Sequence, residues 1–427
     1  MLAPTSKHVA IIGGGYAGMA AAVTLAQQGI KVTVYEAGKV LGGRARQLAH
    51  PRATTPLDNG QHLLLGAYRT TLGLARLVAP TAEPWLRQPL QLYTQAGLQL
   101  RAPRLPAPLN MLIALLAARG ISIQHRFAAL IFMLQQRLHG FQLNHDMPLA
   151  DLLASQPVTL TRLLWEPLCL AALNTPVASA SAQVFLNVLR DSLSRNREDS
   201  DLILPTVDLS VFFPAAAAAY VRARGGEIIL QQRVRNISLD IAGYKINDQT
   251  YSDIVCAVAP HQVVDLTSGF TELAAINQQI MRFHYHPITT IYLQYPPQVR
   301  LPRAMTGLTD CLAQWVFDRG ISHQQQGLLA VVISVTEHQL SQSDLIARMA
   351  RELHMVFAIP AAPLWHQIIV EKRATFSCDA GLIRPEQRTP LAHFYLAGDY
   401  TASDYPATLE AATQSGVKCA TWILNDS

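Results

Sequence analysis

A glycine-rich turn between a buried strand and a helix lies near the start of the chain. The apolar run HVAIIGGG predicts a β-strand, and the Ala-rich segment YAGMAAAVTLAQQG predicts a helix that ends at Gly29. The next segment, KVTVYEA, predicts a second strand. Because a helix that connects two neighbouring strands makes them parallel, this order predicts an α/β fold with a Rossmann-type sheet.

Three glycines at this turn, Gly13, Gly15 and Gly18, have the G-x-G-x-x-G spacing of a dinucleotide-binding site. The first permits a tight turn, the second leaves space for a pyrophosphate, and the third lets the helix pack closely on the strand. We expect Ala17 to share this contact, and Glu36, at the end of the second strand, to bind ribose hydroxyls. The spacing alone also arises by chance in turns, but the two strands and the acid together favour a nucleotide site.

A second glycine pair follows in the segment AGKVLGGRAR, which contains Gly42, Gly43 and Arg44. This segment resembles the signature of the flavin-containing amine oxidase and phytoene desaturase superfamily. The resemblance implies that the cofactor is FAD, with Gly43 and Arg44 near its pyrophosphate. Arg44 would supply a forked cation there, whereas the alternative is a surface arginine in a glycine loop.

The C-terminal segment FYLAGDYTASDYPATLEAATQSGVKCATWIL predicts a strand, a turn and an apolar-striped helix. It resembles the same superfamily. The resemblance implies that Gly398 and Asp399 contact the ribityl or pyrophosphate part of FAD. It also implies that Ala407, Thr408 and Leu409 contact the pyrimidine edge of the flavin through their backbone, where a helix N-terminus stabilises the charge of reduced flavin.

A third segment, residues 225–240, predicts two short strands, and the resemblance implies that Val234 contacts the adenine through its backbone. The expected architecture is a discontinuous FAD-binding domain of Rossmann type and a second, mixed sheet-plus-helix substrate domain. The predicted FAD-binding domain comprises residues 1–85, 205–275 and 365–427. The predicted substrate domain comprises residues 86–204 and 276–364.

The stretch from Pro84 to His145 contains six arginines and no acidic residue. It includes two apolar segments edged with arginine, LPAPLNMLIALLAARG and RFAALIFMLQQRL. This pattern favours helices that lie in a membrane interface and attract anionic lipid. The alternatives are core helices with solvated arginines and helices around a lipid-binding cavity.

Composition excludes several classes of protein. A chain of 427 residues is expected to form two lobes, and its net charge of +5, without basic tracts, argues against nucleic-acid binding. Five cysteines without a C-x-x-C pair predict neither a disulfide framework nor a metal site and favour a reducing, cytoplasmic location. Since no apolar run approaches the roughly 20 residues that cross a bilayer, any membrane contact is expected to be peripheral.

Four internal segments carry a narrower resemblance: LDNGQHLLLGAYRTT, LWEPLCLAALNTP, SDLILPTVDLS and EKRATFSC. They resemble the hydroxysqualene dehydroxylases of bacterial hopanoid synthesis, also described as squalene-associated FAD-dependent desaturases. The resemblance implies reductive removal of the allylic hydroxyl of hydroxysqualene to give squalene, with hydride from reduced FAD and an external reductant. The alternatives are a carotenoid-type polyisoprenoid desaturase and a non-catalytic flavin-containing lipid-binding protein.

This reaction requires an acid, because hydroxide is a poor leaving group. In related desaturases a D-x-G turn lies beside the flavin, and Asp58–Gly60 matches that turn. His62 is one candidate, because its ordinary pKa near 6.5 lets it hold a proton, whereas Asp58 would need a pKa raised by burial. The alternatives are that Asp58 caps the turn and that His62 is a core histidine; Glu166 and Asp201 are weaker candidates.

Overall fold

The computed structural model describes residues 7–53, 55–193, 195–335, 340–360 and 362–426. Five parallel strands form its first sheet, here called the parallel sheet. Their order across the sheet is Glu227–Ile229, Lys31–Tyr35, His8–Ile12, Asp253–Cys256 and Phe394–Leu396. The central strand is apolar after its first residue because both faces of the sheet are covered.

Helices cover one face of the parallel sheet. The first helix, Tyr16–Gln27, packs against the C-terminal helix, Leu409–Asn425, so closely that a Cβ at Gly416 would lie 2.0 Å from the Ala17 carbonyl oxygen. Further helices and one helical turn surround this domain. They are Arg69–Val78, Leu209–Phe212, Pro214–Arg222, Pro260–Thr267 and Ala274–Met281, with a 3-10 turn at Thr271–Leu273. The opposite face packs against a three-stranded meander of Ser238–Asp240, Gly243–Ile246 and Gln249–Tyr251.

The second sheet, here called the antiparallel sheet, has five strands. Their order is Met305–Gly307, Trp315–Asp318, Leu328–Ser334, Tyr285–Gln294 and Trp365–Phe376. Alternate residues of the strands point to opposite faces, so that Val316 and Val331 pack under helix Gln342–Phe357 while Phe317 and Val332 face a cavity. The antiparallel sheet therefore forms one wall of the space between the cofactor-binding part of the molecule, around the parallel sheet, and the rest of the chain.

Helices complete the other wall of that space. The segments predicted as apolar helices form Leu109–Leu116 and Ile123–Leu138. The remaining helical segments of this region are Leu149–Leu152, Val158–Leu160, a π-helix at Thr161–Trp165, Glu166–Leu173, Ala182–Leu193, a 3-10 turn at Arg197–Ser200, and Arg319–Ser322. Short strands form three small sheets beside the two large ones. The first pairs Gln47–Leu48 with Leu57–Asp58, and the second has the order Leu64–Leu65, Leu202–Pro205 and Trp85–Gln88. The third pairs Gln91–Tyr93 with Gln99–Arg101.

The predicted α/β class, with a Rossmann-type sheet and a second mixed sheet-plus-helix part, is confirmed. The exact domain limits stay a prediction. Because Trp365–Phe376 pairs along its length with Tyr285–Gln294 in the antiparallel sheet, we propose that the third segment of the cofactor domain begins after Phe376 rather than at residue 365. Among the described residues, no helix is both long and apolar enough to cross a membrane.

Candidate cofactor and substrate site

A cavity of about 1420 Å³ lies between the parallel sheet, the antiparallel sheet and the helices. Ligand pockets typically measure roughly 300–1,000 Å³, so this cavity has room for more than one ligand. Its wall has two chemically different parts. One part consists of glycines, helix ends and charged side chains, and the other consists of leucine, methionine and aromatic side chains. We call them the polar half and the apolar half.

The glycine turn forms the centre of the polar half. Gly13 has a φ of +112°, which disfavours a side chain, and a Cβ at Gly18 would lie 2.0 Å from the Gly13 carbonyl oxygen. A Cβ at Gly15 would have its nearest neighbour, the Gly43 Cα, at 3.8 Å, so the space beside the Gly15 backbone is open. Gly13, Gly15 and Ala17 line the cavity, whereas Gly18 lies behind them and lets the helix approach the strand. The turn is thus shaped to admit a diphosphate at the start of helix Tyr16–Gln27.

Glu36 lies at the wall of the polar half and is held by the backbone. Its Oε2 accepts a hydrogen bond of 2.8 Å from the Gly14 N–H, and its Oε1 accepts one of 2.6 Å from the Gly38 N–H. Each carboxylate oxygen can accept a further hydrogen bond. The fixed carboxylate is suited to bind the two hydroxyls of a ribose, as expected from its position after the second strand.

Arg44 and Asp399 form an ion pair that joins the two ends of the chain. The Arg44 Nη2 lies 2.5 Å from the Asp399 Oδ1, and the Arg44 Nη1 donates a hydrogen bond of 2.7 Å to the Ala374 carbonyl. Burial acts to lower the pKa of Arg44, but the charge and hydrogen bond of Asp399 outweigh it and raise the pKa. Both side chains line the cavity beside Gly43 and Gly398, so the guanidinium stays charged where a pyrophosphate or ribityl chain would bind.

The C-terminal helix begins at the cavity. Thr408 is its N-cap, and its hydroxyl accepts a hydrogen bond of 3.1 Å from the Ala411 N–H. Ala407, Thr408 and Leu409 all line the cavity, so the positive end of the helix dipole faces it. Val234 lines the same half from the segment before the meander. The chain therefore brings together every cofactor residue expected from the sequence except Gly18, which supports the turn from behind.

The fit of these residues to a dinucleotide rests on the open Gly15 backbone, the fixed Glu36 carboxylate and the two helix N-termini. Ala407–Leu409, at the start of the C-terminal helix, would hold the flavin ring, which would supply the redox chemistry. Among the described residues, no cluster of three or more His, Cys, Asp and Glu side chains is arranged to hold a metal ion.

Asp58 does not line the cavity, although the sequence made it a candidate proton donor. Its Oδ1 accepts a hydrogen bond of 2.8 Å from the Leu209 N–H, and its Oδ2 lies 3.2 Å from Nη1 of the fully buried Arg319. The Arg319 guanidinium also donates to the Gln61 side chain at 3.0 Å. The geometry thus disfavours direct proton donation by Asp58 and supports the alternative reading, in which its carboxylate fixes the turn.

His62 faces the cavity next to Arg44 and the Asn59–Gln61 turn. Its Nδ1 lies 2.9 Å from the Gly60 carbonyl oxygen, which requires a proton on Nδ1. Burial lowers the pKa of His62, against the opposing effect of the Asp58 charge, so the ring is neutral at pH 7. In that form the Nε2 is an acceptor, and a second proton on Nε2 would be held weakly and released easily.

The two weaker candidate acids, Glu166 and Asp201, do not line the cavity. Asp201 is buried in ion pairs with Arg87 at 3.2 Å and Arg197 at 3.6 Å. Sequence reasoning missed Arg319, which follows a buried strand and carries no motif that marks it. Only its contacts with residues far away in the chain reveal its role.

The apolar half is formed by side chains from many distant segments. Representative members are Leu92, Met111, Met133, Trp165, Phe185 and Phe317. They come from a strand pair, from four helical segments and from the antiparallel sheet. A long hydrocarbon would find an apolar surface here that is continuous with the cofactor part of the cavity.

Comparisons with known proteins agree with this geometry. Residues 16–424 match the family of flavin-containing amine oxidoreductases. The hydroxysqualene dehydroxylases of Rhodopseudomonas palustris and Zymomonas mobilis subsp. mobilis are 28% and 26% identical to this chain, over 98% of it and 99% of each relative. The zeta-carotene desaturase of Solanum lycopersicum is 23% identical, over 98% of this chain and 81% of that relative.

The solved structures give the same fold. Cyclohexylamine oxidase from Brevibacterium oxydans IH-35A superposes with a TM-score of 0.70, at 16% identity and over 99% of both chains. The expectations of an oxidoreductase with FAD as its cofactor are confirmed by the family match. The chain, with its two-part cavity and its glycine turn, therefore belongs to the flavin-containing amine oxidoreductase family.

Proposed function

We propose that this protein is an FAD-dependent hydroxysqualene dehydroxylase, which removes the allylic hydroxyl of hydroxysqualene reductively and releases squalene and water. Bound and reduced FAD supplies the hydride that replaces the hydroxyl. Two relatives with that name match almost the whole chain. FAD would have to be re-reduced by an external donor, since the sequence carries a single dinucleotide fingerprint.

The observation that carries the proposal is the continuity of the two halves of the cavity. Residues suited to a dinucleotide, such as Gly15 and Glu36, line the same space as Met111 and Phe185. A long isoprenoid would bury its carbons in the apolar half, at roughly 25 cal/mol for each Å² removed from water.

His62 is the residue of this chain that we propose as proton donor to the departing hydroxyl. Its lowered pKa makes the protonated ring a stronger acid than ordinary histidine, which suits a poor leaving group. After the transfer the ring is neutral, and its Nδ1–H still donates to the Gly60 carbonyl. The ring therefore places no positive charge beside an allylic cation.

The test is an anaerobic incubation of the purified holoenzyme, reduced with dithionite, with hydroxysqualene. We expect squalene, detected by gas chromatography and mass spectrometry, at one equivalent per reduced flavin. The same protein left oxidised serves as control and should form none. Reduced enzyme that binds hydroxysqualene but forms no squalene would overturn the proposal.

A carotenoid-type desaturase is a second candidate, since the Solanum lycopersicum zeta-carotene desaturase also matches this chain. The apolar half of the cavity suits either substrate. The two reactions run in opposite redox directions, so oxidised enzyme incubated with a polyisoprenoid hydrocarbon separates them. New absorbance from a longer conjugated polyene would favour the desaturase.

We also propose that the protein docks peripherally on the inner face of the membrane. Helix Ile123–Leu138 exposes one apolar stripe, and helix Leu109–Leu116 exposes another. We call both stripes together the outer apolar face, which consists of Leu109, Ile113, Leu116, Ile123, Phe127, Ile131, Leu134 and Leu138. Their spacing of three or four residues puts each stripe on one side of its helix. The absence of acidic residues from the whole Pro84–His145 stretch makes anionic lipid the partner that this face fits.

A further inference from the structure

Asn174 is a buried amide with one unused end. The residue lines the cavity and is only 5% exposed. The Asn174 Nδ2 donates a hydrogen bond of 2.8 Å to the Thr375 Oγ1, but the Oδ1 has no partner. Burying an unpaired polar atom costs free energy, so an amide in this position indicates a ligand that completes its hydrogen bonds.

The backbone of Asn174 does not explain the amide. The residue ends helix Glu166–Leu173 in the left-handed region, with φ 46° and ψ 40°, and its N–H donates to the Leu170 carbonyl at 3.0 Å. Glycine is the commonest residue at this position of a helix end, and asparagine is tolerated there. A glycine would therefore end the helix equally well, without burying an unpaired amide oxygen beside the cavity.

Asn174 lies where the two halves of the cavity meet. Its partner Thr375 follows Ala374, whose carbonyl accepts the hydrogen bond from Arg44 in the polar half. On its other side, Leu170 and Ala171 of the preceding helix belong to the apolar half. A hydroxyl on a hydrocarbon must lie at such a junction if the carbon that bears it is to react beside the cofactor.

The Tyr400 hydroxyl is another buried cavity group without a partner. It directly follows Gly398 and Asp399, so its surroundings are those of the polar half. Asn174, by contrast, follows an apolar helix, which makes it the group suited to a polar atom on an otherwise apolar ligand.

We propose that the Asn174 amide binds the hydroxyl of the isoprenoid substrate and thereby selects hydroxylated isoprenoid over hydrocarbon; this inference rests on the proposed function. The unused Oδ1 accepts the substrate O–H, which leaves a lone pair of the hydroxyl oxygen for a proton donor. Squalene lacks the hydroxyl and leaves the amide unpaired again. The product is therefore bound less tightly than the substrate.

The test compares the wild-type holoenzyme with Asn174→Gly, which suits the left-handed backbone and removes the side chain together with its hydrogen bond to Thr375. Oxidised enzyme is titrated with hydroxysqualene and with squalene, and the Kd of each is obtained from the change in flavin absorbance. We expect the Asn174→Gly variant to bind hydroxysqualene about tenfold more weakly, with an unchanged Kd for squalene and unchanged FAD content. The matched control is Asn247→Gly, which changes an exposed asparagine at φ 54° outside the cavity and should leave both Kd values unchanged.

Three results would overturn the inference. The Asn174→Gly variant with both Kd values unchanged would make Asn174 a helix cap alone. Loss of FAD in that variant would assign the amide to the cofactor. A wild-type protein that binds hydroxysqualene no more tightly than squalene would exclude hydroxyl selection at this site. Because the readout is binding to oxidised enzyme, it is separate from turnover, on which the proposed function depends.

Discussion

The polar and apolar halves of the cavity are built on different principles. The polar half uses backbone atoms and short sequence motifs, such as the turn at Gly13–Gly18 and the helix start at Ala407–Leu409. The apolar half uses side chains from distant segments, among them Met111 and Phe317. A backbone site depends on exact geometry at a few positions, whereas an apolar wall depends on total volume and tolerates exchange among similar residues. A single substitution should therefore reduce ligand binding more in the polar half than an exchange among similar residues does in the apolar half.

The largest effect is expected for Gly18→Ala in the polar half. The new Cβ would lie 2.0 Å from the Gly13 carbonyl oxygen, so the helix must move away from the turn. We expect most bound FAD to be lost, and activity with it, as measured by the flavin absorbance per protein. Gly73→Ala is the control, since a Cβ there has no neighbour within 4 Å, and it should add about 0.5–1 kcal/mol of stability as a helix substitution. Full flavin content in the Gly18→Ala variant would show that the polar half does not depend on exact backbone geometry more than the apolar half does.

The next effect is expected at His62, which lines the cavity next to Arg44. His62→Gln should lower turnover roughly 10²–10⁴-fold, the usual contribution of a general acid, and retain FAD. Because burial lowers the pKa of His62 below 6.5 and the protonated form is active, wild-type kcat/KM should fall as pH rises above that lowered pKa. In the His62→Gln variant, kcat/KM should not show this fall with rising pH. A variant with wild-type turnover would exclude the histidine as the acid.

A smaller effect, on stability, is expected for Arg319→Met. This change leaves the Asp58 carboxylate buried without its cation, which costs about 3–5 kcal/mol of unfolding free energy. Arg348→Met, which removes a half-exposed arginine from its pair with Glu352, is the control and should cost about 1 kcal/mol or less. Denaturant titration measures both. Equal losses in the two variants would mean that the Asp58–Arg319 pair does not anchor the Asn59–Gln61 turn.

The smallest effect is expected for two exposed arginines of the Pro84–His145 stretch, which also contains the outer apolar face. The double variant Arg104→Gln with Arg119→Gln should weaken binding to anionic vesicles by roughly fivefold for each charge, at about 1 kcal/mol per arginine. Binding to neutral vesicles should not change. Ile241→Ser, which alters an exposed residue of the meander, is the control. If the wild-type protein floated equally well with neutral and with anionic vesicles, the arginines would have no role in membrane binding.

The polar half could be predicted from the sequence because its determinants are local. Gly13, Gly15 and Glu36 are related by spacing that one strand, one turn and one helix fix. The same logic reaches Thr408, since a threonine before an apolar-striped helix predicts a cap. Each of these residues lies within a few positions of the element that orients it.

That His62 lines the cavity while Asp58 does not could not be predicted. Both residues lie in one short segment, but the buried guanidinium that pairs with the Asp58 carboxylate belongs to Arg319, 261 positions away. Asn174 could not be identified from the sequence for a similar reason. Its sequence neighbourhood predicts only a helix end. The structure shows that its Nδ2 binds Thr375 and that its Oδ1 has no partner. Hydrogen bonds between distant segments carry the information that a motif lacks.

Helix Ile123–Leu138 has a consequence for the route of the substrate. Its Met133 lines the cavity, while its Ile131 and Leu134 belong to the outer apolar face. The wall between the cavity and the proposed membrane is therefore one helix thick and apolar on both sides. A hydrocarbon that crossed this wall would exchange lipid neighbours for leucine and methionine, and would avoid the cost of about 0.8 kcal/mol for each methylene group exposed to water. Fluctuation of a single helix, rather than solubility in water, would then limit how fast the enzyme is supplied.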